Sequence, residues 1–309
     1  MITFIRNKKF FFIMVDWKEQ FLQRYAQLTD LDKFLEASVQ RMRKSIRVNT
    51  LKTTIPEIQS RFSGLKQVPW CKEGFFIEGQ AIGNTQEHFL GYIYIQGAAS
   101  MIPPMVLKPK PGEIVLDMCA SPGSKTSQMA AMMNNEGLIV ANDNKIDRLK
   151  PLVLNLQRCG VHNTVVTFME GRWFKEKYDK ILLDAPCSGI GTIRKSPNTP
   201  QMWNPHTIKK LAGIQRQLIA TAFEALKENG TLVYSTCTLE PHENEAVVNS
   251  ILERYDNAKV HRFSLDIKGG KGVDEFEGET YSPEVKKCLR VWPQDNDTEG
   301  FFVAKITKE

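Results

Sequence analysis

Hydrophobic positions in the second half of the chain form short apolar runs that alternate with stretches of helical spacing. The runs are typical of buried strands and the stretches of amphipathic helices. The predicted strands are 114–117, 138–143, 164–168, 180–184 and 231–235, and the predicted helices are 124–133, 148–159, 209–227 and 243–255. The long helix is expected to stop at Asn229 and Gly230. Runs at 289–292 and 301–306 fit a closing antiparallel pair, so the pattern predicts an α/β fold with a doubly wound, mainly parallel sheet.

The pattern of the first 93 residues is less regular. Apolar residues recur at helical spacing over 16–35, where Thr29 and Asp30 favour a break into two helices. A strand at 45–51, a short helix at 56–62 and a small β element over 68–76 are expected next. We therefore predict a small α+β accessory domain over 1–93 and a larger domain over 94–309.

The chain begins with an apolar run at 10–15, which is too short for a membrane span. No small-residue cleavage site follows it, so we interpret it as a leader or as sequence upstream of a start at Met14. The rest of the chain has no run of transmembrane length. A protein without contact to a membrane is therefore expected.

Composition adds little to this pattern. Of the 309 residues, 42% are hydrophobic, and a formal net charge of +6 is too small to identify a nucleic-acid partner by itself. None of the six cysteines forms a C-x-x-C pair, so a zinc ribbon or a redox motif is not expected. The cysteines are instead typical of reduced thiols in a cytoplasmic protein without a metal site.

Ligands of such sheets bind at the carboxyl ends of the strands. Residues 117–126, Asp-Met-Cys-Ala-Ser-Pro-Gly-Ser-Lys-Thr, follow the first of these strands. This loop lacks the Gly-Lys pair of a P-loop and has one glycine where a dinucleotide fingerprint needs three. Pro122 and Gly123 can still bring backbone N–H groups close to a carboxylate such as an amino-acid tail. Asp143, at the end of the second strand, suits a ribose diol, although a turn cap is the more common role for a single strand-end Asp.

Two cysteine motifs follow the fourth and fifth strands. They are Asp-Ala-Pro-Cys-Ser-Gly at 184–189 and Ser-Thr-Cys-Thr at 235–238. A thiolate that adds to C6 of cytosine makes C5 reactive toward a sulfonium methyl group, and a proton or hydrogen bond at N3, for which Asp184 is a candidate, assists the addition. Lys125 is a candidate to lower the pKa of the thiol. Chemistry alone does not decide whether Cys187 or Cys237 attacks.

These motifs occur together with several others, and together they resemble the Nop2/Sun (NSUN, RsmB) family of RNA cytosine-C5 methyltransferases. The matching stretches are 47–52, 94–101, 111–126, 184–189 with 191–195, 235–237 with 243–245, and 297–302. The resemblance covers most of the chain. It implies a Rossmann-like, class I methyltransferase domain with a mostly parallel, seven-stranded sheet and S-adenosylmethionine (SAM) as the methyl donor.

The resemblance also implies roles for individual residues. Cys237 would be the nucleophile and Cys187 would assist product release, with Asp184 and Lys125 beside them. The cofactor would contact Asp143 at its ribose, with Arg148 nearby, and Glu170 at its adenine. Glu170 stands where the family usually has Asp, which leaves the length of that contact open. The remaining expected cofactor residues are Cys119, Ala120, Ser121, Pro122, Gly123, Ser124 and Lys125, and Asp184 is expected to contact the cofactor as well.

The chain is similar to the compact archaeal members of the family that modify tRNA. We therefore predict a monomeric tRNA (cytosine-C5) methyltransferase that forms 5-methylcytosine through a covalent bond between Cys237 and C6. Methylation of rRNA or DNA, and a non-catalytic RNA-binding or ribosome-assembly protein with the same fold, are the alternatives. The presence of both cysteines, Asp184 and Lys125 argues against the non-catalytic protein. The RNA surface is expected to include basic residues of the N-terminal segment, namely Arg41, Arg43, Lys44, Arg47 and Lys52.

Overall fold

The computed structural model describes residues 17–78 and 81–309. The apolar run at 10–15 and the start proposed at Met14 lie outside these ranges. Within them, no helix is both long and apolar enough to cross a membrane.

The N-terminal helical stretch is broken in two, as the sequence predicts. Helix α1, Glu19–Tyr25, is separated from α2, Leu31–Val39, by a turn over residues 26–30, which includes Thr29 and Asp30. The Asp30 side chain accepts a hydrogen bond from the Lys33 backbone N–H at 3.3 Å and so caps α2. The two helices share an aromatic core in which the ring of Tyr25 stacks on Phe21 and Phe34.

A four-stranded antiparallel sheet in the order β2-β3-β1-β4 follows these helices. Its strands are β1 (Lys44–Val48), β2 (Lys66–Val68), β3 (Cys71–Ile77) and β4 (Ile93–Ile95). Helix α3, Ile55–Arg61, begins at a capping box formed by Thr54 and Glu57, and the short helix α4, Gln86–Phe89, precedes β4. Since β4 pairs with β1, the small sheet extends to Ile95, and the boundary after residue 93 stays a prediction.

Five parallel strands form one side of the large sheet, in the order β9-β8-β5-β6-β7. They are β5 (Ile114–Asp117), β6 (Leu138–Asp143), β7 (Thr164–Phe168), β8 (Tyr178–Asp184) and β9 (Leu226–Thr236). Helices connect or flank them: α5 (Ile102–Leu107), α6 (Ser124–Met132), α7 (Ile146–Cys159), α8 (Thr199–Met202), α9 (Pro205–Glu224) and α10 (Glu245–Arg254). The predicted α/β fold with a mainly parallel sheet is confirmed.

Four antiparallel strands extend this sheet beyond β9. They are β10 (Ala258–His261), β11 (Gly270–Lys271), β14 (Leu289–Val291) and β15 (Phe301–Lys308). The sheet thus has nine strands in the described residues rather than the predicted seven. The difference arises because β14 and β10 share one side of β15 and β11 pairs with β14. A separate hairpin of β12 (Glu275–Phe276) and β13 (Glu279–Thr280) and the short helix α11 (Pro293–Asn296) complete the fold.

The hydrophobic core covers both faces of the large sheet. Helices α9 and α10 bury Ile219, Phe223 and Val247 against one face. On the other face, Trp70 and Phe76 of the small sheet pack with α5 and α6, and the Trp70 indole N–H donates to the Ala98 carbonyl at 2.8 Å. Because this second core is continuous between the two sheets, the small sheet has a fixed position relative to the carboxyl ends of the parallel strands.

Candidate active site

The loop after β5 is held by backbone hydrogen bonds to both neighbouring strands. The Met118 N–H donates to the Leu182 carbonyl at 3.0 Å, and the Ala120 N–H donates to the Asn142 carbonyl at 2.7 Å. The loop then turns into α6 at Gly123, whose φ of +96° lies in the region that favours glycine. This turn places Lys125 in the first turn of α6, next to the end of β8.

Lys125 and Asp184 form a close ion pair at the carboxyl ends of the strands. Lys125 Nζ lies 2.6 Å from Asp184 Oδ2, and Ser235 Oγ donates to Asp184 Oδ1 at 2.8 Å. Burial opposes the charge on Lys125, but the Asp184 carboxylate raises the pKa of its ammonium group overall. The pair therefore holds a charged donor and an acceptor side by side.

The two cysteines of the sequence motifs meet beside this pair. Cys187 Sγ lies 3.3 Å from Cys237 Sγ, and both are free thiols. The hydrogen bond from Cys187 lowers the pKa of the Cys237 thiol, and the charge on Lys125 acts in the same direction against burial and the Asp184 charge. That same hydrogen bond, together with burial, raises the pKa of Cys187. The thiolate is thus favoured on Cys237.

Three other cysteines have the opposite electrostatic environment. Burial raises the pKa of Cys71 to about 12 and also raises the pKa of Cys119 and Cys288. Cys237 is therefore distinguished from these three thiols by its immediate neighbours, since a lowered pKa is what a nucleophilic thiol needs.

A cleft of about 400 Å³ opens next to the two thiols. Eight of the residues predicted from the sequence line it: Cys119, Ser121, Asp143, Arg148, Glu170, Asp184, Cys187 and Cys237. Five others, Ala120, Pro122, Gly123, Ser124 and Lys125, are not among its lining residues. Of these, the Pro122 and Ser124 carbonyls accept hydrogen bonds from Tyr94 and Arg47 of the small sheet, and Lys125 contacts Asp184.

Asp143 presents an unpartnered oxygen in this cleft. Its Oδ1 accepts from the Lys145 backbone N–H at 3.1 Å, whereas its Oδ2 is buried and accepts no hydrogen bond. Arg148 Nε lies 3.4 Å from that Oδ2, and the Arg148 guanidinium is held by the Ser121 carbonyl at 2.8 Å. A buried acceptor without a donor is costly, so this oxygen is suited to a ligand hydroxyl.

One wall of the cleft is apolar and was not predicted from the sequence. It is formed by Leu211, Ile214 and Leu218 of α9. Their spacing of three and four residues marks one face of a helix, and that signal is present in the sequence. The same spacing also describes an ordinary core face, so the sequence alone does not distinguish the two. In the structure Ile214 is 40% exposed, so this face is not fully covered by the core.

The predicted RNA surface is wrong in one member. Arg47 is 1% exposed, and its guanidinium donates to Gln96 Oε1 and Ser127 Oγ, both at 2.8 Å. Lys52 is exposed, but its ammonium group is held by the Leu90 and Arg158 carbonyls. Arg47 therefore joins the small sheet to α6 and is not available to RNA.

No group of three or more His, Cys, Asp or Glu side chains among residues 17–78 and 81–309 is arranged to hold a metal ion.

Comparison with protein families gives two matches that together cover most of the chain. Residues 104–307 match the family described as 16S rRNA methyltransferase RsmB/F. Residues 18–98 match the N-terminal domain of 16S rRNA methyltransferase RsmF.

Two curated relatives differ in how much of their length this chain covers. The tRNA (cytosine(49)-C(5))-methyltransferase of Pyrococcus abyssi is 45% identical over 95% of this chain and 99% of its own length. The ribosomal RNA small subunit methyltransferase F of Aeromonas salmonicida is 42% identical over 90% of this chain, but over 60% of its own length.

Solved structures share the fold. A methyltransferase homolog protein from Pyrococcus horikoshii has a TM-score of 0.85 and 39% identity, covering 95% of this chain and 96% of its own. NSun6 from Pyrococcus horikoshii with SFG has a TM-score of 0.82 at 24% identity, covering 94% of this chain and 98% of its own, a likeness that shows the fold.

Proposed function

The chain belongs to the RsmB/F (Nop2/Sun) family of RNA methyltransferases, and from this premise we propose that it methylates C5 of cytosine in tRNA. The choice of tRNA is supported by the Pyrococcus abyssi relative, which matches this chain over nearly the full length of both proteins. The rRNA enzymes match over a smaller part of their own length and remain the second candidate. We still predict that the enzyme is cytoplasmic, is a monomer and uses no metal ion.

We propose SAM as the methyl donor, bound in the cleft beside the thiols. The unpartnered Asp143 Oδ2 would accept from a ribose hydroxyl, and the α9 wall would cover the adenine ring, with Glu170 at its edge. Backbone groups of the 119–125 loop would hold the methionine part, as the resemblance implies. The solved NSun6 structure with SFG, a SAM analogue, supports this class of ligand. When bound, SAM supplies an electrophilic methyl group.

The observation that carries the proposal is the 3.3 Å contact between Cys187 and Cys237 beside the Lys125–Asp184 pair. We assign Cys237 as the nucleophile because its neighbours lower its pKa, whereas those of Cys187 raise it. The Cys237 thiolate would form a bond to C6 of cytosine while the Lys125–Asp184 pair supplies a hydrogen bond or proton at N3. The electron pair displaced from the C5–C6 bond would make C5 nucleophilic, so that C5 can take the methyl group while the electron pair of the broken methyl–sulfur bond stays on the donor's sulfur.

Release requires the reverse movement of electrons. A base removes the C5 proton, the electron pair restores the C5–C6 double bond, and the C6–S bond breaks to return the thiolate to Cys237. We assign Cys187 to the departure of the thiolate, because its thiol keeps its proton and can donate a hydrogen bond to the Cys237 sulfur 3.3 Å away, while the C5 proton goes to a different base. Loss of Cys187 is therefore expected to leave the covalent protein–RNA adduct in place.

The test is methylation of tRNA and rRNA by the purified protein with SAM, read by bisulfite sequencing. Cys237→Ala is expected to abolish methylation and adduct formation, whereas Cys187→Ala is expected to trap an adduct on denaturing gels. Cys159→Ala serves as the matched control, since Cys159 is a buried thiol that does not line the cleft. Full activity in Cys237→Ala, or an adduct that depends on Cys187 instead, would contradict the assignment. Methylation of rRNA but not tRNA would favour the second candidate.

A further inference from the structure

The residues that directly follow the two cysteines are joined to each other. Ser188 follows Cys187 and Thr238 follows Cys237, and their hydroxyl oxygens lie 2.8 Å apart. Thr238 is fully buried and also accepts from the Glu240 backbone N–H at 3.3 Å. This contact connects the loop after β8 directly to the loop after β9.

Glu243 fixes the Ser188 end of this connection. Its Oε2 accepts from the Ser188 backbone N–H and from Gln215 Nε2, both at 2.9 Å, and its Oε1 accepts from Ser188 Oγ. Glu243 has no exposed surface, and burial raises the pKa of its carboxyl group while these donors act in the opposite direction. Three donors on one buried side chain make its position strongly determined.

The loop after β9 has a second support that does not involve Ser188. Asn244, next to Glu243, accepts from Thr236 Oγ1 at 2.6 Å and donates to the Thr238 carbonyl at 3.1 Å. The Cys237 loop is therefore held even without Ser188. The Cys187 loop is held by Glu243 and Thr238 and, in addition, by Gln215, whose side-chain amide donates to the Pro186 carbonyl at 2.8 Å.

We propose that Ser188, Thr238 and Glu243 form a hydroxyl bridge that positions Cys187 for the release step of the reaction. The inference rests on the proposed function and extends it to residues that are not among those lining the cleft. Attack by Cys237 needs the loop after β9, which Asn244 supports independently. Departure of the Cys237 thiolate needs the Cys187 thiol at its short distance from that sulfur. Weakening the bridge therefore slows release more than attack.

The sharpest test compares Thr238→Val with Thr238→Ser. Valine keeps the shape of the buried side chain but removes the hydroxyl, whereas serine keeps the hydroxyl. With both catalytic cysteines intact, Thr238→Val is expected to accumulate the covalent RNA adduct on denaturing gels and to turn over roughly tenfold more slowly, the effect of about one lost hydrogen bond. Thr238→Ser is expected to show the wild-type adduct level. Ser188→Ala removes the hydroxyl on the Cys187 loop, and it should show the same adduct accumulation and slower turnover as Thr238→Val.

Variants of Glu243 give a graded version of the same test. Glutamine can still accept from the Ser188 and Gln215 donors with its oxygen while its NH₂ donates to Ser188 Oγ, which then donates to Thr238. Glu243→Gln is therefore expected to accumulate less adduct than Glu243→Ala, which leaves those donors without an acceptor. A general loss of structure would instead lower adduct formation and methylation together, and SAM affinity measured on each variant separates the two cases.

Cys187→Ala makes failure of this inference distinct from failure of the proposed function. If Cys187→Ala traps an adduct but Thr238→Val and Ser188→Ala, both binding SAM normally, do not, the hydroxyl bridge has no part in release. If Cys187→Ala traps none and the wild type does not methylate RNA, the proposed function itself is wrong. Adduct in both bridge variants, with wild-type behaviour in Thr238→Ser, supports the inference.

Discussion

Replacing Asp143 by asparagine is expected to separate cofactor affinity from stability. Asp143 is 2% exposed, and its Oδ2 accepts no hydrogen bond, although Arg148 Nε lies 3.4 Å away. Asparagine keeps an oxygen for the Lys145 N–H and removes the buried charge. Arg148 is 44% exposed, so the ion pair that is lost contributes little. We therefore expect the free energy of unfolding without SAM to stay the same or rise slightly.

Binding of SAM should respond in the opposite direction. A hydrogen bond to a charged acceptor contributes about 1.5–3 kcal/mol, and each 1.4 kcal/mol is a factor of about ten in Kd. Loss of one ribose hydrogen bond to the carboxylate thus predicts SAM binding weakened by roughly tenfold to a hundredfold. Isothermal titration with SAM gives the Kd, and thermal unfolding without SAM gives the stability.

Asp147→Asn is the matched control, because Asp147 is exposed in the first turn of α7 and carries the same charge change close by. It should bind SAM with the wild-type Kd. An Asp143→Asn variant with wild-type affinity would refute the assignment of Asp143 to the ribose. A fall in stability as large as the loss of affinity would show that Asp143 has a structural role instead.

Two further predictions concern buried charges near the site. Burial raises the pKa of Asp117 to about 7. The folded state then binds more protons than the unfolded state between the ordinary pKa and 7, so this group makes the protein less stable as pH rises through that range. Asp117→Asn should therefore increase the free energy of unfolding at pH 8 by up to about 4 kcal/mol and so raise Tm relative to wild type. The difference in Tm should vanish below pH 4. An equal difference in Tm at both pH values would contradict the raised pKa. Glu245 holds the buried Arg290 through two contacts of 2.6 Å. Glu245→Ala should cost about 3–5 kcal/mol in urea unfolding because the guanidinium is left unpaired, and Glu245→Gln should cost less; similar losses in both variants would argue against an unpaired charge as the cause.

Much of the site could be predicted because strand ends are visible in the sequence. Short apolar runs that end in an acid, as at Asp117, Asp143 and Asp184, identify both the strands and their carboxyl ends. A mainly parallel sheet brings those ends to one edge. The contacts of Lys125 with Asp184 and of Cys187 with Cys237 occur at that edge.

The end of α9 could not be predicted in this way. The helix was expected to continue to 227, but it ends at Glu224, and β9 begins at Leu226. Leu226 pairs with Tyr178 of β8, and the register shifts before Lys180 pairs with Thr231, with Asn229 at a positive φ of 61° in between. An irregular pairing of this kind depends on contacts with the neighbouring strand. The hydrophobic periodicity of a single segment carries no information about those contacts.

The burial of Arg47 was missed for a related reason. A run of basic residues is normally a solvated face, and the sequence around β1 has that composition. In the structure the guanidinium has amide and hydroxyl oxygens at 2.8 Å that come from Gln96 and from Ser127 of α6. Those partners are 49 and 80 residues away along the chain, so the contact could be recognised only after the two sheets had been placed together.

The choice between the two cysteines shows most clearly what three-dimensional structure adds. In the sequence each cysteine follows a strand, each is flanked by small or polar residues, and only family resemblance favours Cys237. In the structure the hydrogen bond between the two sulfurs lowers the pKa of Cys237 and raises that of Cys187. Beyond it, Lys125 acts against burial and the Asp184 charge at Cys237, whereas burial and the Glu243 charge both raise the pKa of Cys187. The carboxylate that holds the Cys187 loop in place therefore also disfavours a charge on Cys187. The same buried Glu243 thus positions the Cys187 loop and helps to keep the Cys187 thiol protonated.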